Sequence, residues 1–277
     1  MAISIHTNYA ALLTQTNMSK SNVALGTSQQ RLGTGFRVNS AADDAAGLQI
    51  ATRLNAQARG QAVAQRNAQD GISLLQTAEG ALNEYTNVLL RMKDLAVQAA
   101  NGINTSGSSE LAALDDEYQA LNLELVNIGT KTTYGAGTTL FNAGDLITAG
   151  FKLQIGASNG DVMNVDAVAT ADILTGPAGD LLSNTNANTA LDEIDALLTT
   201  VGEARGAMGA NINRLNHTIN NLANMADNAN TAMGRIMDTD FASESTKMTK
   251  QNMLMQSSVA MLKQTSQMGG LALSLLG

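Results

Sequence analysis

The sequence contains no cysteine, no tryptophan and a single proline. Without cysteine there is no disulfide, no thiolate metal site and no thiol nucleophile, and the redox compartment stays open. Aromatic residues are 3% of the chain, so any core is built from small and aliphatic side chains, which lets helices approach closely. Pro177 alone interrupts a chain otherwise free to be helical. No stretch reaches the roughly 18 apolar residues of a membrane-spanning helix, so no membrane insertion is expected. The segment Met1 to Tyr9 lacks the basic start and continuous apolar core of a cleaved secretory signal, so a place outside the cell would require another export route. Positive charge is also short: 16 Lys and Arg stand against 24 Asp and Glu. Phosphates would go unneutralised, which argues against a nucleic-acid partner.

What the chain does have is long helical periodicity. Counting in alternating threes and fours from Leu191 lands on Ile194, Leu198, Val201, Arg205, Met208, Ile212, Leu215, Ile219, Leu222, Ala226, Ala229, Met233 and Ile236. Only Arg205 is not apolar, and a seam this long predicts a helix on the order of 70 Å facing an equally long partner. The partner is predicted in the first half. The same count from Gly47 gives Ile50, Leu54, Gln57, Gln61, Ala64, Ala68, Gly71, Leu75, Ala78, Leu82, Tyr85, Leu89, Met92, Ala96 and Ala99. Arg205 either sets register or marks where the partner helix gives way to another element.

A third helix follows a Ser/Gly loop, carried by Leu111, Leu114, Tyr118, Leu121, Leu125 and Ile128. From Thr130 to Asp180 the helical period is lost. There Phe151, Leu153 and Ile155 alternate with polar residues ahead of a Ser158-Asn-Gly-Asp161 turn, predicting a small β element at one end of the bundle. The fold class is therefore mainly α: an elongated antiparallel helical rod of coiled-coil character, built from both halves of the chain, with a small β-hairpin region. Its segments are 45–129, 130–185 and 186–236, flanked by terminal segments 1–44 and 237–277.

The terminal segments read differently. From Ile3 to Leu32 the pattern is only weakly amphipathic, and such a segment gains helical order by docking. Gly33 and Gly35 end it, Phe36-Arg37-Val38 reads as extended, and Ser40 with Asp43 reads as a capping box for the long helix. The closing helix is rich in methionine, which either is ordinary core filler or packs against the first 35 residues and against neighbouring copies. Residues 1–45 carry one net positive charge and residues 236–277 are balanced, leaving −9 in the middle. Near-neutral apolar ends can crowd together while an acidic middle stays solvated.

No residues organise as a catalytic centre. Asp115-Asp116-Glu117 fan out around a helix and cannot converge on one ion. His6 and His217 have no partner in the pattern, and there is no phosphate-binding loop. No enzyme, cofactor or metal is expected.

Three stretches carry a resemblance. Leu32-Gly-Thr-Gly-Phe-Arg-Val-Asn-Ser-Ala-Ala-Asp-Asp-Ala-Ala-Gly-Leu48, Asp94-Leu-Ala-Val-Gln-Ala-Ala-Asn101 and Arg235-Ile-Met-Asp-Thr-Asp-Phe-Ala-Ser-Glu244, with the closing Leu-Ser-Leu-Leu, resemble bacterial flagellin in the same order. The resemblance spans essentially the whole chain, without the large outer domains of many relatives. It implies an extracellular filament subunit for swimming or swarming, exported through the flagellar type III apparatus. Its implied partners are copies of itself, the filament cap and hook-junction proteins, and an export chaperone on the C-terminal segment. A hook–filament junction adaptor is the competing reading, and a helical-bundle enzyme or signalling coiled coil a third.

The resemblance also assigns residues. Ile5, Leu12, Val23, Leu25, Leu32, Met255, Val259, Leu262, Leu275 and Leu276 would line the polymerising inner tube. Arg37, Asn39, Ser40, Asp43, Asp44, Asp238, Asp240 and Phe241 would form the spoke between tube and rod. Arg91, Leu95 and Glu117 match a surface bound by the Toll-like innate immune receptor, the alternative being plain filament packing.

Overall fold

The computed structural model describes residues 8–101, 107–135, 137–142, 144–167 and 175–274. In chain order these form α1 (Tyr9–Thr34), α2 (Ala45–Ala99), α3 (Ser109–Lys131), β1 (Thr133–Tyr134), β2 (Thr138–Thr139), α4 (Leu146–Ala149), β3 (Phe151–Gln154), β4 (Val162–Val165), α5 (Asn184–Met237) and α6 (Phe241–Ser274). The strands make two separate antiparallel hairpins, β1 with β2 and β3 with β4. The mainly α chain of long packed helices with a small β-hairpin region is the architecture the sequence predicts. It divides into two compact units, residues 57–227 and residues 1–56 with 228–277.

The larger unit holds the hydrophobic core. On α5, Ala187, Ile194, Val201, Met208, Leu215 and Leu222 are buried at steps of seven, the interval that returns a helix to the same face. Ala190, Leu197 and Ala204 add a second buried row over the first turns. Arg205 therefore flanks the stripe, half-buried, and the interior position beside it belongs to Ala204. On α2 every counted position from Gln61 to Ala99 is buried. The count holds at Gly47 but fails after it: Ile50 and Gln57 are exposed, and Ala51 and Ala58 are buried instead. α3 contributes Leu111, Tyr118 and Leu125, again seven apart.

The β3–β4 hairpin lies along the flank of α2. Leu153 Cδ1 sits 2.5 Å from where a Cβ on Gly71 would be, and Ala157 Cβ lies 2.6 Å from that of Gly60. Between them Asn67 Nδ2 donates to the Gln154 carbonyl at 3.0 Å. A side chain at either glycine would lift the strand off the helix. The pleat explains the facing: Met163 and Val165 are buried while Lys152, Gln154 and Asn164 are exposed.

Ahead of α5 an extended strap is tied to α3 and α5 by side chains reaching its backbone. Asp115 accepts from Leu181 N at 2.9 Å, Gln119 donates to Gly179 O at 3.3 Å, Asn122 to Pro177 O at 3.1 Å, and Glu193 accepts from Ala178 N at 2.9 Å. Asp115, Asp116 and Glu117 thus take separate roles: a strap tie, an exposed carboxylate and an ion-pair partner.

Candidate functional site

The unit containing both terminal segments pairs α1 with α6 in antiparallel fashion. Asn8 Nδ2 donates to Thr265 O at 3.0 Å at one end, and Ser28 Oγ to Glu244 Oε1 at 2.6 Å at the other. The seam between them mixes small and polar residues with Met and Leu. On α1 it runs Ala11, Thr14, Met18, Ser21, Leu25, Ser28 and Leu32, and on α6 Glu244, Met248, Gln251, Met255, Ser258, Leu262 and Thr265. Several large apolar residues of the pair face the other way. Tyr9, Leu12, Leu13 and Val23 lie on the far side of α1, with Leu12 52% and Val23 69% exposed. On α6, Met253, Leu254, Val259 and Met261 are exposed, Met253 at 61%. At about 100° per residue, Met253 falls opposite the seam, and Leu254 and Met261 flank it on one side.

This sorts the sequence-assigned apolar residues into two groups. Leu25, Leu32, Met255 and Leu262 are half-buried in the seam of the pair, while Leu12, Val23 and Val259 are exposed. Ile5, Leu275 and Leu276 lie outside the described residues. Within the chain this apolar surface has no cover among the described residues.

The seam also holds an ionic clasp that sequence reasoning did not single out. Ser28 and Glu244 are both buried. Glu244 accepts from Ser28, from Lys247 Nζ at 3.2 Å, and faces Arg31 Nη1 at 3.9 Å. The Ser28 hydroxyl, with lesser help from Lys247 and Arg31, holds the Glu244 carboxyl below its usual range against the opposing effect of burial. The available signal was the same three-four count, which on α1 passes through Ser28 and on α6 begins at Glu244, but lands on too few apolar residues to stand out.

The residues expected in the spoke converge as a compact turn system. Phe36 bridges to Asp238, Thr239 N donates to Gly35 O at 3.0 Å and Arg37 N to Met237 O at 2.6 Å. The Arg37 guanidinium reaches Ile236 O at 2.7 Å, capping the orphan carbonyls at the end of α5. Asn39 Nδ2 donates to Phe36 O at 2.8 Å. Asp43 accepts from Ser40 N and Oγ, both at 2.9 Å, and from Asn39 N at 3.2 Å. The Ser40 hydroxyl and these amides depress the Asp43 pKa.

The cap of α2 itself is Asp44, whose Oδ1 accepts from Gly47 N at 2.8 Å; Ser40 and Asp43 close the preceding turn instead of opening the helix. Asp240 caps α6 through Ala242 N at 2.9 Å, and Phe241 is exposed beside it. Gly35 ends α1 at φ 78°, a left-handed conformation suited to glycine.

Of the third group, Arg91 and Glu117 meet across α2 and α3 through two hydrogen bonds, at 2.9 and 2.6 Å, and both side chains are about half exposed. Leu95 does not join them at the surface: it is 1% exposed and part of the core. The seam count assumed one partner for α2, but the core here closes over two adjacent rows, so Leu95 and Ala96 are both buried.

Comparison with known proteins gives these features their setting. Residues 5–144 match the family described as the bacterial flagellin N-terminal helical region, and residues 191–276 the bacterial flagellin C-terminal helical region. The chain is 43% identical to a flagellin of Halalkalibacterium halodurans over 250 residues, covering 89% of this chain and 90% of that one. It is 35% identical to polar flagellin B/D of Vibrio parahaemolyticus over 385 aligned positions, covering both chains in full. In fold alone it is similar to a solved chain described as a flagellar hook-associated protein of Vibrio parahaemolyticus, with TM-score 0.59 and 15% identity, over 71% of this chain and 100% of that one. The chain belongs to the bacterial flagellin family, structural proteins and not enzymes, whose place is the extracellular flagellar filament.

Proposed function

We propose that this flagellin polymerises through the outward apolar faces of its α1–α6 pair, and that the occupant of those faces is another copy of the chain. The observation that carries the reading is the apolar surface the pair leaves uncovered: Leu12, Val23, Met253 and Met261 stand exposed, while its two fully buried side chains, Ser28 and Glu244, are polar. One patch meeting a different patch on the next copy propagates without closing, which yields a filament. Export as an unfolded chain through the flagellar type III apparatus, an escorting chaperone on the C-terminal segment, and assembly under a cap beyond hook-junction proteins, for swimming or swarming, complete the reading. It is supported by family membership and by a chain without disulfides.

Seeded polymerisation tests it. Full-length monomer mixed with short filament fragments grows into long filaments, read by light scattering and negative-stain microscopy, whereas a chain cut to residues 46–235 stays unpolymerised. Failure of the full-length chain to extend seeds favours a junction adaptor.

A second reading rests on the exposed Arg91–Glu117 pair: it presents a charged contact to a Toll-like receptor, with Leu95 supporting the helix from within. Monomer carrying Arg91→Ala and Glu117→Ala loses receptor signalling. Unchanged signalling removes this reading.

A further inference from the structure

The chain has thirteen methionines and no cysteine, so all of its sulfur is thioether. These thioethers are unevenly placed. Met92, Met163 and Met208 are buried in the core of the larger unit. Met253 and Met261 are 61% and 55% exposed on α6, Met253 opposite the seam with α1 and Met261 on its flank. Met225, on α5 and outside the terminal pair, is 40% exposed.

We propose that Met253 and Met261 form an oxidant-sensitive checkpoint on assembly, in which their conversion to sulfoxide by a hydroperoxide excludes the subunit from the filament. The inference rests on the reading of this face as a subunit contact. In the reaction the thioether sulfur attacks the terminal peroxide oxygen, an S–O bond forms and the O–O bond breaks. The sulfur loses two electrons, and the hydroperoxide is reduced to its alcohol, or to water for hydrogen peroxide. No cofactor is needed.

The product carries a strong hydrogen-bond acceptor where an apolar thioether had been. Burying that oxygen against an apolar neighbour without a donor is unfavourable, and each sulfoxide is expected to weaken subunit addition roughly tenfold. Once a subunit is in the lattice the same contact shields both sulfurs. The sensitivity therefore belongs to free subunits, and a thiol-dependent sulfoxide reductase reverses it.

The test uses the full chain without substitutions. Monomer is treated with limiting hydrogen peroxide so that each methionine is partly oxidised, seeds are added, and filaments are separated from the supernatant. Peptide mass spectrometry then reads the sulfoxide fraction at every methionine in both pools. The expected result is sulfoxide at positions 253 and 261 depleted from filaments and enriched in the supernatant, with Met225 sulfoxide divided evenly. Sulfoxide reductase returns the excluded subunits to growth. Equal sulfoxide at 253 and 261 in both pools overturns the proposal, as does equal depletion at Met225. Untreated monomer run in parallel separates the two failures: if it does not extend seeds, the assembly reading itself falls.

Discussion

The two pairs of features in this molecule obey opposite rules of burial. In the larger unit, Leu82, Tyr85, Leu89 and Met92 of α2, Tyr118 of α3 and Ile194, Val201 and Met208 of α5 are fully enclosed. In the terminal pair the enclosed positions hold Ser28 and Glu244, and large aliphatic side chains stand in solvent. Burial of a Leu or Met side chain contributes about 1.5–3 kcal/mol. The larger unit collects that contribution within one chain, whereas on the terminal pair much of it becomes available only through contact with another molecule. The difference teaches how one polypeptide can be a durable folded unit and a reserve of unsatisfied surface.

Breaking the comparison should be easiest from the core side. Leu89→Ala leaves a cavity among α2 neighbours and costs about 2–5 kcal/mol in monomer stability, measured by urea denaturation. Leu12→Ser with Val23→Ser, by contrast, changes monomer stability within about 0.5 kcal/mol while stopping seeded growth. A loss in the double variant as large as that of Leu89→Ala would show that α1 already buries those residues. Next in size, Gly71→Val drives a side chain into Leu153 and loosens the hairpin at a cost of about 1–3 kcal/mol, read as faster amide exchange in β3 and β4.

The clasp sharpens the comparison through pH. Because the Glu244 pKa is lowered in the folded pair, its contribution is complete above the ordinary carboxylate pKa and is lost as pH falls through the depressed value. Acidification should melt α1 and α6 before the larger unit, followed by circular dichroism or NMR, and Glu244→Gln should flatten that dependence. An identical acid transition in wild type and variant would assign the effect elsewhere. The smallest effect is expected at Tyr118, whose buried hydroxyl has no partner among the described residues. Burial, with Glu193 and Asp115 nearby, pushes its pKa up and keeps it neutral. Tyr118→Phe should hold or raise stability by up to about 1 kcal/mol in the same urea assay.

Legibility in the sequence followed the size of the side chains. The α5 stripe is readable because its apolar residues recur every seven positions, α2 and α3 follow from the same arithmetic, and the β3–β4 hairpin follows from alternation and its turn residues. Leu95 was misplaced because periodicity finds the direction of one partner, and a helix covered on two sides buries two rows. The packing of α6 on the first 35 residues is legible in its methionines, but the α1 side of the seam is faint, since Ala11, Ser21 and Ser28 carry almost no hydropathy signal. Asp44 was passed over as the cap because Ser40 and Asp43 have the spacing of a capping box, and only backbone geometry separates the two. The strap over α3 rests on side-chain-to-backbone bonds from Asp115, Gln119 and Asn122, which leave no periodic trace.

Amide hydrogen exchange on free monomer and on assembled filament tests the central claim most directly. The account predicts fast exchange along α1 and α6 in the monomer and strong protection in the filament, while residues 82–99, 111–128 and 187–215 are protected in both. Equal and strong protection of α1 and α6 in the free monomer would contradict it, because the terminal pair would then be stable without a neighbour.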